Sequence, residues 1–126
     1  MSFNLTITEN KTYLHIIVTG ENKKENVMQY MEQIISECFT RNCFRVLIEE
    51  RLVGPRLGTF DVYSIASQGA MNAFGKMKAI AYVDINSVGD LMNFAETVAV
   101  NRSLPVKIFS KVAEAEKWLL SNDNQN

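Results

Sequence analysis

Val46-Leu47-Ile48 is the feature that most restricts how this chain can fold. Successive side chains of a strand point to opposite faces. Three apolar neighbours in a row therefore need cover on both sides, as in a central strand of a parallel sheet. Phe44 to Glu49 is read as that strand. Met77 to Asp84, centred on Ala79-Ile80-Ala81-Tyr82-Val83, is a second buried strand, and Pro105 to Phe109 a short third.

The stretch before Val46 has a different period. Phe3, Leu5 and Ile7 alternate with Asn4, Thr6 and Thr8, the pattern of a half-buried strand over Phe3 to Glu9. Asn10-Lys11 predicts a tight turn, because Asn tolerates positive φ. Tyr13 to Thr19 is the returning strand of an antiparallel hairpin, ended by Gly20. From Lys24 to Arg41 the apolar residues Val27, Met28, Met31, Ile34, Ile35 and Cys38 recur at helical spacing, with Asn42 suited to the exit. Thr59 is a natural cap for a second helix reaching about Phe74, and Asp61 favours its first turn. Ser87 and Asp90 form a capping box for a third, running to Arg102. Ser110 is placed to cap a last helix with Val112, Ala115, Trp118 and Leu119 on one side, and the polar tail from Ser121 is expected to fray. The order is ββαβαβαβα, an α/β fold with a mixed, mostly parallel sheet and helices packed on it. At 126 residues, 1–126 is expected to be a single domain.

Composition removes several function classes. An apolar share of 47%, a charged share of 21% and a net charge of −1 lack the basic excess of a general nucleic-acid binder. No apolar run approaches the roughly 18 residues of a membrane span. The opening MSFNLTITEN has no basic segment before an apolar core, so a secretory signal is not expected and the localisation read from it is cytoplasmic. Cys38 and Cys43 form no CxxC pair, and the chain has a single histidine, so both read as small apolar residues of a reducing compartment. No metal or other cofactor is expected.

The last third of the chain carries a family resemblance. Asn101-Arg102 closes a helix, Val106-Lys107-Ile108-Phe109 is a strand, and Ala115-Glu116-Lys117-Trp118-Leu119 ends the chain's last helix. With the element order, this resembles the SpoIIAA-like fold of STAS domains, the anti-sigma-factor antagonists, and more closely a group of small bacterial STAS-like proteins of uncharacterised function. The resemblance implies a cytoplasmic binding or regulatory module that works through protein–protein contact, including a homodimer, without catalysis. The same overall fold is shared with CRAL-TRIO lipid-binding domains, which leaves a small-ligand carrier open. One departure bears on mechanism. Sporulation-type antagonists carry a phosphorylated Asp-Ser pair after the central strand, where this chain reads Glu49-Glu50-Arg51-Leu52-Val53-Gly54-Pro55-Arg56-Leu57-Gly58-Thr59. Thr59 is the nearest hydroxyl, and its role as a helix cap explains it.

That corner holds the candidate site: Arg51, Leu52, Val53, Arg56, Leu57, Thr59, Phe60 and Tyr63. Arg51, Arg56 and the helix start after Thr59 can converge on an anion, or the arginines can pair with Glu49, Glu50 or Asp61. Gly54 to Gly58 lacks the Gly-Lys-Ser/Thr of a P-loop. Leu52, Val53, Leu57, Phe60 and Tyr63 can form an apolar patch for a protein partner, a second copy or a ligand, or pack locally. Glu49 and Asp84 both end predicted parallel strands, where an enzyme could use them as an acid pair. A receiver-type site fits poorly, because Lys107 is mid-strand. His15 has no nucleophile at motif spacing and reads as structural, as do Phe109 and Trp118 in the core. Arg102 suits the end of its helix.

Overall fold

The computed structural model describes residues 3–54, 77–84, 97 and 105–122. Among the described residues five strands form one mixed sheet in the order β1-β2-β3-β4-β5. They are β1 (Phe3–Glu9), β2 (Leu14–Glu21), β3 (Arg45–Val53), β4 (Ala79–Asp84) and β5 (Val106–Phe109). The β1–β2 pair is antiparallel and every later pair is parallel. Two helices are described, α1 (Lys24–Thr40) and α2 (Val112–Asn122). The α/β class and the mixed, mostly parallel sheet agree with the sequence reading. The helices expected from Thr59 to Phe74 and from Ser87 to Arg102 fall outside the described residues, apart from residue 97.

The sheet has a core on each side. On the α1 side, Leu14, Ile16, Val18, Val46, Ile48 and Ile80 meet Val27, Tyr30, Ile34 and Cys38 of the helix. On the α2 side, Leu47, Ala79, Ala81 and Val83 meet Ala115 and Leu119, with Phe109 and Trp118 partly buried beside them. The alanines of β4 let α2 approach the sheet closely. Val46-Leu47-Ile48 thus sends two side chains into one core and one into the other, as an unbroken apolar run requires.

Local chemistry sets the ends of α1. Asn42 adopts φ 52, the left-handed conformation that follows many helices. Cys43 N–H then donates to Cys38 O at 2.9 Å and Asn42 N–H to Phe39 O at 3.2 Å, which satisfies two terminal carbonyls. At the other end, the buried Asn26 amide donates to Glu21 O at 3.0 Å and ties the helix to the end of β2.

Four local expectations are corrected. Gly20 does not end β2, which runs on to Glu21 with Gly20 opposite Leu52. Arg51, Leu52 and Val53 are consequently strand and not loop, because the longer β2 offers them ladder partners. Asn10 turns the hairpin through its side chain, whose Oδ1 accepts from Thr12 and Tyr13 N–H at 2.9 Å each, and not through positive φ. The last helix starts at Val112, so Lys111, whose carbonyl accepts from Ala115 N–H, precedes it in place of Ser110, and its final turn takes in Ser121.

Candidate functional site

Two neighbouring glutamates in the middle of β3, just after its apolar run, build two different polar clusters. Glu49 and Glu50 point to opposite faces because the strand period is two. Glu49 lies on the α2 side and is buried, with 6% exposure. In the register, His15 sits opposite Leu47 and Ile17 opposite Glu49, so His15 and Glu49 are diagonal neighbours on one face. His15 Nε2 is 3.0 Å from Glu49 Oε1, an oxygen that accepts, so the nitrogen donates. Arg51, two residues along the same face, donates its Nε to Glu49 Oε2 at 2.6 Å and adds a second contact from its terminal nitrogen. Burial raises the Glu49 pKa, but the hydrogen bonds from His15 and Arg51 and the Arg51 charge outweigh it and hold the carboxyl below its ordinary value.

Glu50 faces α1 and has phenolic partners. Tyr30 is fully buried on α1, and both Tyr30 and Tyr82 donate their hydroxyls to Glu50 Oε2. The two hydroxyl oxygens are 2.5 Å apart. Burial first pushes both phenols well above their ordinary pKa, followed by the Tyr82 charge and then Glu50 for Tyr30, and by the Glu50 charge and hydrogen bond for Tyr82. Asp84, also buried, stands opposite Glu50 in the parallel register. A third phenol joins α2 to the sheet: Tyr13 donates to Glu116 Oε2 at 2.5 Å, and burial together with that carboxylate pushes its pKa up to about 12.

This geometry revises the acid pair read from the sequence. Glu49 pairs in register with Val83, and Asp84 with Glu50, so Glu49 and Asp84 lie on opposite faces. Strand order follows chain order, so the described sheet has no point where the order reverses to open a ligand crevice. Among the described residues no group of three or more His, Cys, Asp or Glu side chains is placed to hold a metal. Cys38 is a buried free thiol pushed up to about 12, chiefly by burial, which suits packing rather than reactivity.

Of the candidate corner residues, Arg51 and Val53 are exposed on the α2 side, and Val53 at 66% is the most exposed large apolar side chain described. Leu52 turns the other way and packs against the α1-side core. Arg51 realises the pairing with Glu49 that its sequence position allowed. Gly54 begins the corner at φ +111, a backbone conformation that a residue with a Cβ rarely adopts. Arg56, Leu57, Thr59, Phe60 and Tyr63 lie outside the described residues. Sequence reading passed over Glu50, Tyr30 and Tyr82 as site residues, although Tyr30 shares the spacing of Val27, Ile34 and Cys38. Among the described residues no helix is long and apolar enough to cross a membrane.

No family model matches the chain, and no curated protein sequence matches it. Among solved structures it is similar to the NMR structure of the protein TM1081, at 15% identity over 90% of this chain and 86% of that one, with a TM-score of 0.49. A likeness at that level carries no argument about chemistry, and the reading of the site rests on its own residues.

Proposed function

We propose that this chain is a SpoIIAA-like, STAS-like binding or regulatory module that works by protein–protein contact at the corner after β3, without catalysis. The observation that carries the reading is the exposure of Val53 and Arg51 where an otherwise buried strand leaves the sheet. An exposed valine beside a guanidinium, followed in sequence by Arg56, Leu57, Phe60 and Tyr63, suits an apolar contact with a polar rim. The nearby acids support the same view. Glu49 is engaged by His15 and Arg51, and Glu50 by two phenols, so both carboxylates have partners within the fold.

Native mass spectrometry of freshly isolated protein tests this, with Val53→Asp and Leu57→Asp variants beside it. A bound polypeptide that is lost in folded variants is the expected result. A small-molecule adduct lost in the variants would instead make the corner a ligand-carrier site. Complexes unchanged by both variants would remove the corner from the reading.

A further inference from the structure

We infer that β1 is a self-pairing edge, through which two copies of this chain join their sheets by antiparallel pairing of Phe3–Glu9 about a two-fold axis at Thr6. This is a different surface from the corner. β1 ends the strand order, so among the described strands it has a neighbour on one side. Asn10 N–H donates to Tyr13 O at 3.2 Å, which makes that pair a hydrogen-bonded one. The same register continues as Glu9↔Leu14 and Thr8↔His15. Antiparallel ladders alternate bonded and non-bonded pairs. Thr8, Thr6 and Asn4 therefore bond to β2, and the N–H and C=O groups of Phe3, Leu5, Ile7 and Glu9 point outward from the sheet.

That outward row is complementary to itself. With the axis at Thr6, Phe3 faces Glu9 of the second copy, and Leu5 faces its Ile7. All four outward residues then fall in hydrogen-bonded pairs. The side chains agree with this register. Leu5 and Ile7 are only partly buried and already pack on the α1-side core, so each would continue that apolar surface across the junction. Asn4, Thr6 and Thr8 are exposed on the other face, where hydroxyls and amides would meet across the axis. Glu9 is the only charged residue of β1, is ion-paired with Arg41 at 3.2 Å, and would face an apolar residue rather than another acid. β1 also lacks the usual guards of an exposed edge: it has no proline or lysine, and its register with β2 has no bulge. β5, the opposite edge, is guarded by its length of 4 residues and by exposed Lys107.

The axis position gives the test. Thr6 would face Thr6 of the second copy in a non-hydrogen-bonded pair, with Cα atoms about 4.5 Å apart. Thr6→Lys and Thr6→Glu should each weaken a wild-type dimer roughly tenfold or more, since like charges then face each other. Mixing the two variants should restore a dimer, and native mass spectrometry should give it the summed mass of one lysine and one glutamate chain. Circular dichroism would check that each variant folds. Val53→Asp should leave this dimer intact, so loss of the corner reading and loss of this one are separable. The inference is overturned by a wild-type chain that stays monomeric at about 100 μM. It is equally overturned by a Thr6→Lys dimer as tight as wild type, or by a mixture that forms no heterodimer.

Discussion

Glu49 and Glu50 are chemically identical neighbours, yet the sheet gives them opposite surroundings. Glu49 answers to cationic and imidazole donors, with exposed Arg51 on one oxygen and His15 on the other. Glu50 answers to two phenols, one of them fully buried. The difference arises from strand alternation alone, which turns one carboxylate toward α2 and the other toward α1. It teaches that the two acids should stabilise the fold by different physics. The Glu49 contribution runs through an exposed guanidinium and is sensitive to salt, and the Glu50 contribution runs through a fully buried ring and is tied to packing.

The largest effect should come from the packed side. Tyr30→Ala removes a ring with no exposure and strips Glu50 of a donor, so a loss of about 3–5 kcal/mol is expected. Tyr30→Phe keeps the ring and should cost less, about 1–3 kcal/mol, as the price of one missing hydroxyl in a half-buried cluster. Urea denaturation measures both as midpoint shifts at constant slope. Equal losses for the two variants would mean that the hydroxyl, rather than the ring, carries the α1-side stability.

Charge neutralisation sharpens the contrast at a smaller scale. Glu50→Gln is expected to cost about 1–2 kcal/mol, because a neutral amide accepts more weakly than a carboxylate from the Tyr30 and Tyr82 hydroxyls. Glu49→Gln should cost about 1 kcal/mol, a figure reduced because the Arg51 side chain is 55% exposed and solvent screens it. That advantage of Glu49 should shrink further near 1 M salt, where the screening length is about 3 Å. A Glu49→Gln cost that stays the same at 1 M salt would break the comparison.

How much of this was legible in the sequence depended on which physical signal marked each residue. The bounds of β1 follow from strict alternation, and the end of α1 from Asn42. The end of β3 did not, because Gly20 looks like a terminator until its pairing with Leu52 is known. The separation of Glu49 from Asp84 is hidden in the sequence for a related reason. Two consecutive glutamates follow the apolar run of β3, and only register tells which one stands beside Asp84. Tyr82 was hidden inside an apolar run, where a phenol reads as one more core residue. His15 looked solitary because its partner is far along the chain, on a strand brought beside it by the parallel crossover.

Titration should separate the two clusters without mutating the core. The Glu49 pKa is lower in the folded chain than in the unfolded one. Its contribution is therefore complete above the unfolded value and is lost as pH falls through the folded one. Tyr13, Tyr30 and Tyr82 are shifted the other way. Their contribution is complete below the ordinary phenol value of 10.0 and is lost as pH rises past it, for Tyr13 up to about 12. Glu49→Gln should flatten the acid limb of a stability-versus-pH curve and leave the alkaline limb, whereas Tyr30→Phe should do the reverse. A variant that flattens both limbs would show that the two clusters are coupled through β3.

The smallest expected effect on stability lies just beyond the two acids, at Val53. It shares the α2-side face with Glu49 and Arg51, but at 66% exposure it packs little. A surface substitution of this kind usually changes stability by less than about 0.5 kcal/mol. Val53→Asp also places a carboxylate two residues from Arg51 on the same face, where it can compete with Glu49 for the guanidinium. The urea midpoint should therefore barely move, while any contact made by the corner should weaken, and the salt dependence assigned to Glu49 should fall because Arg51 is shared. A midpoint shift as large as that of Tyr30→Phe would mean that Val53 is part of the packed fold and that the exposed end of β3 is not a binding surface.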